Sequence, residues 1–188
     1  MPEPFKPTRE QLAEAAHQTL PDLIARDLQV LFCGINPGLY TTAIGHHFGR
    51  PGNRFWPALF GSGFTPVLVS PWNERELLRL ELGITNVVSR TTATAAEISA
   101  DEYAEGGKRL QATVKRYRPK VLAVLGVGAY RTAFRAPKAT LGLQADTLAG
   151  TSVWVLPNPS GLNANYQLPD LIRLFRELRD WVEARAGA

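Results

Sequence analysis

Leu28-Gln29-Val30-Leu31-Phe32-Cys33, running directly into Gly34-Ile35-Asn36-Pro37-Gly38, is the stretch on which the fold turns. A short apolar run that stops at a glycine and gives way to Pro, Gly and Asn reads as a buried strand leaving into a loop. The same grammar recurs near the other end of the chain. There Thr151 to Leu156 is a strand pattern, and Pro157 leads into Asn158-Pro159-Ser160-Gly161-Leu162. Ile84 to Val88 and Lys120 to Leu125 read as two further short strands.

Helical patterns fill the intervals. Thr8 with Gln11 forms a capping box for a helix through Ala16, and Ser99 with Glu102 forms another for a basic helix that ends near Tyr117, before Pro119. Arg54 to Gly61, Pro71 to Leu80, Gly126 to Phe134 and a C-terminal segment opened by Leu168-Pro169-Asp170 complete the set. Strands that alternate with helix-length crossovers imply an α/β protein: one three-layer α/β/α domain around a short, mainly parallel sheet. Residues 1–188 are read as that single domain, with 1–27 as an N-terminal helical extension. Ligands of such sheets sit beyond the carboxyl ends of the strands. The loops Gly34 to Asn53 and Pro157 to Gln167 are therefore expected to meet in one cleft.

Composition narrows the class. The chain has 188 residues, 45% of them hydrophobic and 20% charged, which is ordinary for a folded domain and excludes disordered and fibrous classes. Cys33 is the sole cysteine, so an intrachain disulfide and a thiolate-rich zinc site are both excluded, and a reducing, cytoplasmic setting is expected. No stretch has the length and apolarity of a membrane span. The net charge of +4 mildly favours a polyanionic partner. Lys108, Arg109, Lys115, Arg116, Arg118 and Lys120 are dense, and read either as a solvated helix face or as a nucleic-acid footprint. His46 and His47 are adjacent with no third ligand nearby in sequence, which argues against a metal site and for packing or backbone contact. Gly126-Val127-Gly128 evokes a dinucleotide fingerprint, but Arg131 stands at the third glycine position.

Asn-Pro steps at two strand ends are turn chemistry on the simplest reading. Pro removes a donor and sets the turn, while the neighbouring glycines let backbone N–H groups approach a ligand. Taken in order, Gly34-Ile35-Asn36-Pro37-Gly38, Gly45-His46-His47-Phe48, Pro51-Gly52-Asn53-Arg54-Phe55-Trp56 and Asn158-Pro159-Ser160-Gly161-Leu162 resemble the mismatch-specific uracil-DNA and thymine-DNA glycosylases. Thr85-Asn86-Val87-Val88 and Glu105-Gly106-Gly107 look like the same family, the former leaning toward its thymine branch.

The resemblance implies a monofunctional DNA repair glycosylase. It would flip uracil or a related mismatched pyrimidine, chiefly opposite guanine, out of double-stranded DNA and hydrolyse its N-glycosidic bond, leaving an abasic site. It implies no metal and no cofactor, a monomer, and a cytoplasmic protein that associates with the nucleoid when acting on DNA. Asn36 stands at the catalytic asparagine, which holds a water. Ile35 (through its backbone N–H), Thr41, Phe48 and Asn158 stand at the base-binding positions, Phe48 as the aromatic that stacks on the flipped base. Gly161, Leu162, Asn163 and Ala164 stand at the wedge that fills the vacated stack and meets the widowed guanine.

Each of these residues also has an ordinary structural reading: a turn asparagine, a core phenylalanine, a loop leucine. Tyr40 and Thr41 replace small serines of the bacterial branch, Ala164 replaces an arginine, and Asn86 replaces a lysine. Glu97 and Asp101, just before the basic helix, are acids readable either as helix N-terminal charges or as groups that reach the cleft to assist Asn36. Two other functions stay open from the residues: a non-catalytic module of the same fold that binds uracil-containing or damaged DNA, and a small nucleotide-processing α/β enzyme.

Overall fold

Strand β1 (Val30–Gly34) is buried along its whole length because it lies between two parallel neighbours, β2 (Leu82–Asn86) and β3 (Val121–Leu125). The structure, a computed structural model, describes residues 4–16 and 18–186. Residues 1–3 and 17 of the expected N-terminal extension lie outside the described residues. β4 (Gly142–Leu148) and β5 (Thr151–Leu156) complete a five-stranded sheet of order β2-β1-β3-β5-β4. It is parallel throughout except at β4, which pairs antiparallel with β5.

Seven α-helices accompany it among the described residues: α1 (Arg9–Ala15), α2 (Leu39–Ile44), α3 (Phe55–Ser62), α4 (Glu76–Arg79), α5 (Ala100–Tyr117), α6 (Val127–Ala133) and α7 (Leu168–Ala186). The two-residue periodicity of the strands divides the core. Phe32 of β1, Ala123 and Leu125 of β3 and Leu156 of β5 point toward Phe55 and Leu59 of α3 and Phe175 of α7. Leu31, Cys33, Leu122, Val124 and Val155 point the other way, toward Leu110 and Val114 of α5 and Tyr130 of α6. Strands pleated this way must be covered on both faces, which makes three layers.

Local chemistry sets the helix ends. Both expected capping boxes form, Thr8 with Gln11 and Ser99 with Glu102. Gly106 and Gly107 let α5 press flat on its neighbours. A Cβ at Gly106 would lie 2.3 Å from the Val87 carbonyl oxygen, and one at Gly107 2.6 Å from that of Ala133.

Four expectations need correction. β4 was not foreseen. It is a half-exposed edge strand with a register irregularity between Leu143 and Thr147, so it carries no continuous apolar run; the only cue was Gly150, at φ 86° beside Ala149 at φ 49°, turning the hairpin into β5. The stretch Gly34 to Asn53 is not all loop, because Leu39–Ile44 forms α2, started at Gly38 and stopped by left-handed Gly45. Pro71 to Leu80 splits into a 3-10 turn (Pro71–Asn73) and the short α4, with Glu74 turned inward at the break. The second strand begins and ends two residues earlier than the apolar run suggests, since pairing with β1 puts Leu82 opposite Val30 and Asn86 opposite Gly34.

Candidate active site

The carboxyl ends of β1, β2 and β5 surround a cavity of about 150 Å3. Of the nine expected site residues, Ile35, Asn36, Thr41, Phe48 and Asn158 line it; Gly161, Leu162, Asn163 and Ala164 form the adjoining loop instead. The loops after β1 and β5 do meet. Arg54 N–H donates to the Pro159 carbonyl at 2.9 Å, and a Cβ on Gly161 would lie 2.5 Å from the Gly52 carbonyl oxygen.

The orientation of the Asn36 amide follows from its neighbours. Its Nδ2 lies 3.0 Å from the Pro37 carbonyl, 3.0 Å from the Arg90 carbonyl and 2.7 Å from Thr92 Oγ1. Thr92 spends its own proton on the Thr94 carbonyl, 2.8 Å away, so toward Asn36 it only accepts. Three acceptors around one end of the amide leave Oδ1 as the end presented to the cavity. A carbonyl oxygen held there accepts a hydrogen bond from a water and has almost no basicity of its own.

Asn158 is fixed in the opposite sense. Its Oδ1 accepts from Ser160 N–H at 3.0 Å, which leaves the two Nδ2 protons as the group available to the cavity. Phe48 sits at φ 50° and stacks on Phe55 with ring centroids 4.1 Å apart. Gly34 is required beneath this wall, because a Cβ there would meet Asn86 Oδ1 at 2.6 Å and Phe48 Cζ at 3.3 Å. Thr41 reaches the cavity from α2, and the Ile35 carbonyl is held by Val88 N–H at 2.9 Å.

Asn86 is a site residue that the sequence reading used only to compare branches. Its side chain is buried at the cavity wall, and its backbone carbonyl takes a bond from Arg109 at 2.7 Å. The signal that finds it is register, since Asn86 stands opposite Gly34 at the carboxyl end of the sheet. Arg50, Asn53 and Ser160 also line the cavity and were not singled out.

Glu74 sets the conformation of the segment before Phe48. Its buried carboxylate accepts from the His47 backbone N–H at 2.7 Å and meets His46 Nδ1 at 3.2 Å. His47 Nε2 lies 3.0 Å from the Pro21 carbonyl, an acceptor, so that nitrogen carries the proton of the neutral ring. Burial, only partly opposed by Glu74, holds His47 below the ordinary value of 6.5. The unfolded chain therefore binds more protons than the folded one just below that pH, and stability falls as pH drops through this window. Thermal unfolding followed from about pH 7.5 to about pH 5 should show this loss. It should be smaller in His47→Gln, and an identical pH profile in the two proteins would rule the assignment out.

Arg54, at the amino end of α3, holds the other loop. Its guanidinium donates to the carbonyls of Tyr166 at 2.6 Å, Asn163 at 2.7 Å and Ser160, and to Gln167 Oε1 at 3.2 Å. On the loop so held, Leu162 projects with 75% of its surface exposed.

Other candidates are occupied elsewhere. Glu97 caps its own turn, accepting from Thr94 N–H at 2.8 Å, and Asp101 lies exposed in the first turn of α5. Within the basic run, Lys108 pairs with Glu105, Arg118 pairs with Asp27, and Arg109 turns inward to the carbonyls of Asn86 and Val87. Much of that charge belongs to the helix face and strand ends. Cys33 is fully buried, and desolvation pushes its thiol far up, so it offers no thiolate nucleophile.

The cleft thus lies at the carboxyl ends of the parallel strands, with the Asn36 amide on its wall and the exposed Leu162 beside it. The family model of the uracil DNA glycosylase superfamily matches residues 21–182, and the chain belongs to that superfamily, whose members are N-glycosidic bond hydrolases acting on DNA. Among solved structures, the chain is similar to the solution structure of a candidate uracil DNA glycosylase from Methanosarcina acetivorans, with a TM-score of 0.56 and 18% sequence identity. That similarity covers 86% of this chain and 98% of the archaeal one, and at this identity it speaks for the fold. Among the described residues no helix is long and apolar enough to cross a membrane.

Proposed function

We propose that this protein is a monofunctional glycosylase of the mismatch-specific uracil/thymine branch. It extrudes uracil, or a related pyrimidine opposite guanine, from duplex DNA and hydrolyses the bond between the base and C1′ of the sugar. In this reading the whole chain works as one glycosylase unit and as a monomer, with the first 27 residues as an extension of it.

The observation that carries the proposal is the amide of Asn36, locked by three acceptors so that Oδ1 meets the cavity. A water held there attacks C1′ as the C1′–N1 bond breaks. The electron pair of that bond leaves with the base, and the proton lost by the water passes to solvent or to the departing base. A neutral amide gives little base assistance, so the transition state resembles an oxocarbenium ion and bond breaking runs ahead of attack. Charge that develops on the leaving pyrimidine is met by preorganised donors, the Ile35 N–H and Asn158 Nδ2. Phe48 supplies a stacking face for the base, and Asn86 a further amide at its edge. Leu162, on the Arg54-bound loop, fills the gap in the stack.

The test is release of base from labelled duplexes containing G·U, G·T or A·U and from single-stranded uracil, with alkali converting abasic sites to breaks. Release from G·U above the other substrates supports the reading, and tight binding with no release from any substrate replaces it with a binding module. Leu162→Ala should slow single-turnover excision from G·U in a GC-rich context by about tenfold, since unstacking costs a few kcal/mol. Excision from single-stranded uracil should fall much less, because no partner strand has to be held apart. Equal losses on the two substrates would remove the wedge role.

A further inference from the structure

Beside Phe48 lies a second, larger concavity of about 600 Å3 that the chemistry above does not use. Phe48, Arg50 and Asn53 line both spaces, so the two adjoin along this segment. Its walls come mainly from three segments distant in sequence, Pro4-Phe5-Lys6, the residues from Phe48 to Asn53, and Leu68 to Trp72, with Tyr40, Trp56 and Pro57 completing them. The first of these segments lies outside the 21–182 match to the superfamily, so this concavity is partly built from residues the family comparison does not cover.

Its chemistry is that of a stacking platform with cations at the rim. Phe5 packs against Trp72 with centroids 5.4 Å apart, and Trp72 meets the His46 ring edge-on at 4.8 Å. Tyr40 adds a further aromatic side chain to the lining. Phe5 and Leu68 remain 42% and 58% exposed. Lys6 and Arg50 are exposed on the same walls, no acidic residue lines them, and among the described residues neither cation forms an ion pair. Aromatic faces with unopposed cations and no fixed pattern of hydrogen-bond groups suit an unstacked nucleobase and its phosphates, and do not suit a base pair, whose faces are covered by its neighbours.

We propose that this concavity is a second nucleic-acid subsite that takes an unpaired nucleotide of single-stranded DNA, next to the one held in the smaller cavity. The order of the two nucleotides rests on the reading of that cavity as the base pocket; the binding does not. The position of Gly52, which lines the larger concavity and lies beneath Gly161 of the Leu162 loop, supports a strand leaving the cavity along this side. A protein so equipped engages frayed or single-stranded DNA as well as duplex.

The test uses the full-length protein and a uracil-free oligothymidylate of about a dozen nucleotides, against a blunt duplex of the same length, followed by fluorescence anisotropy and by tryptophan emission. Phe5→Ala should weaken binding to the single strand by at least about fivefold, the low end for one stacked base, and binding to the duplex by less than about twofold. Trp72→Phe keeps a stacking ring, and should keep most of the affinity while removing most of the tryptophan quenching that accompanies binding. Equal losses of both ligands in Phe5→Ala, or quenching undiminished in Trp72→Phe, would overturn the proposal; Trp56, the other tryptophan of the lining, is buried and accounts for the smaller remainder. Uracil excision is measured separately. Excision without single-strand binding refutes the subsite alone, and single-strand binding with quenching but no excision from any substrate refutes the catalytic reading alone.

Discussion

Asn36→Ala is expected to slow single-turnover release of uracil from a G·U duplex by about a hundredfold or more, within the range for a group that positions and assists a nucleophile. Binding to the same duplex should change little. Oδ1 is the polar end of Asn36 presented to the cavity, and its partner, the attacking water, gains its full interaction only as charge builds on C1′. An interaction made mainly in the transition state appears in the rate of the chemical step rather than in affinity. Thr92→Val supplies the control that separates catalysis from structure. It removes an acceptor 2.7 Å from Asn36 Nδ2 and leaves Asn36 itself in place, so the amide loses one of three restraints on its orientation. Its loss of rate should be smaller than that of Asn36→Ala, and the two should be far from additive in the double variant. Unchanged turnover in Asn36→Ala would remove the catalytic assignment.

The second large effect is expected at Arg54, where Met substitution should destabilise the protein by about 3 kcal/mol. The side chain reaches three backbone carbonyls and one side-chain oxygen of the segment from Ser160 to Gln167. Carbonyls turned inward toward one guanidinium lose a charged partner together, and hydrogen bonds to charged groups contribute about 1.5–3 kcal/mol each without adding fully. Among the described residues, Nε of the same guanidinium is buried without a partner, which offsets part of that stabilisation. Urea unfolding at an unchanged m-value measures the loss. Faster hydrogen exchange at Leu162 and Asn163, whose N–H groups bond within the loop, locates it. Arg54→Lys should recover little, since an ammonium cannot fork to several carbonyls. Excision from G·U duplex should drop more than excision from single-stranded uracil, because the loop carries Leu162. An unchanged unfolding midpoint would show that the loop holds itself.

Much of the architecture was legible in the chain because its strands are buried on both faces and so read as unbroken apolar runs. Val30 to Cys33, Val121 to Leu125 and Thr151 to Leu156 fall in this class, and the two capping boxes mark their helices by residue type alone. β4 escaped because an edge strand pairs on one side only and needs no apolar run; Leu143 and Leu148 are separated by residues that suit a loop equally well. α2 escaped because six residues with two adjacent threonines carry little helical preference, and it is the glycines at both ends and the packing of Ile44 that hold it.

For the site, the order of motifs along the chain determined which residues to inspect, and local grammar alone indicated that the loops after β1 and β5 should meet. What those residues present to a ligand was decided in three dimensions. The Asn36 amide takes its direction from Arg90 and Thr92, more than fifty residues away; Phe48 takes its backbone geometry from a segment bound to Glu74; and Asn86 enters the cavity only through its register with Gly34. Sequence patterns report short-range periodicity and turn chemistry, which are properties of neighbouring residues. The direction of a hydrogen-bonding group is set by whichever distant donors and acceptors the packed core brings beside it, and no local pattern encodes that.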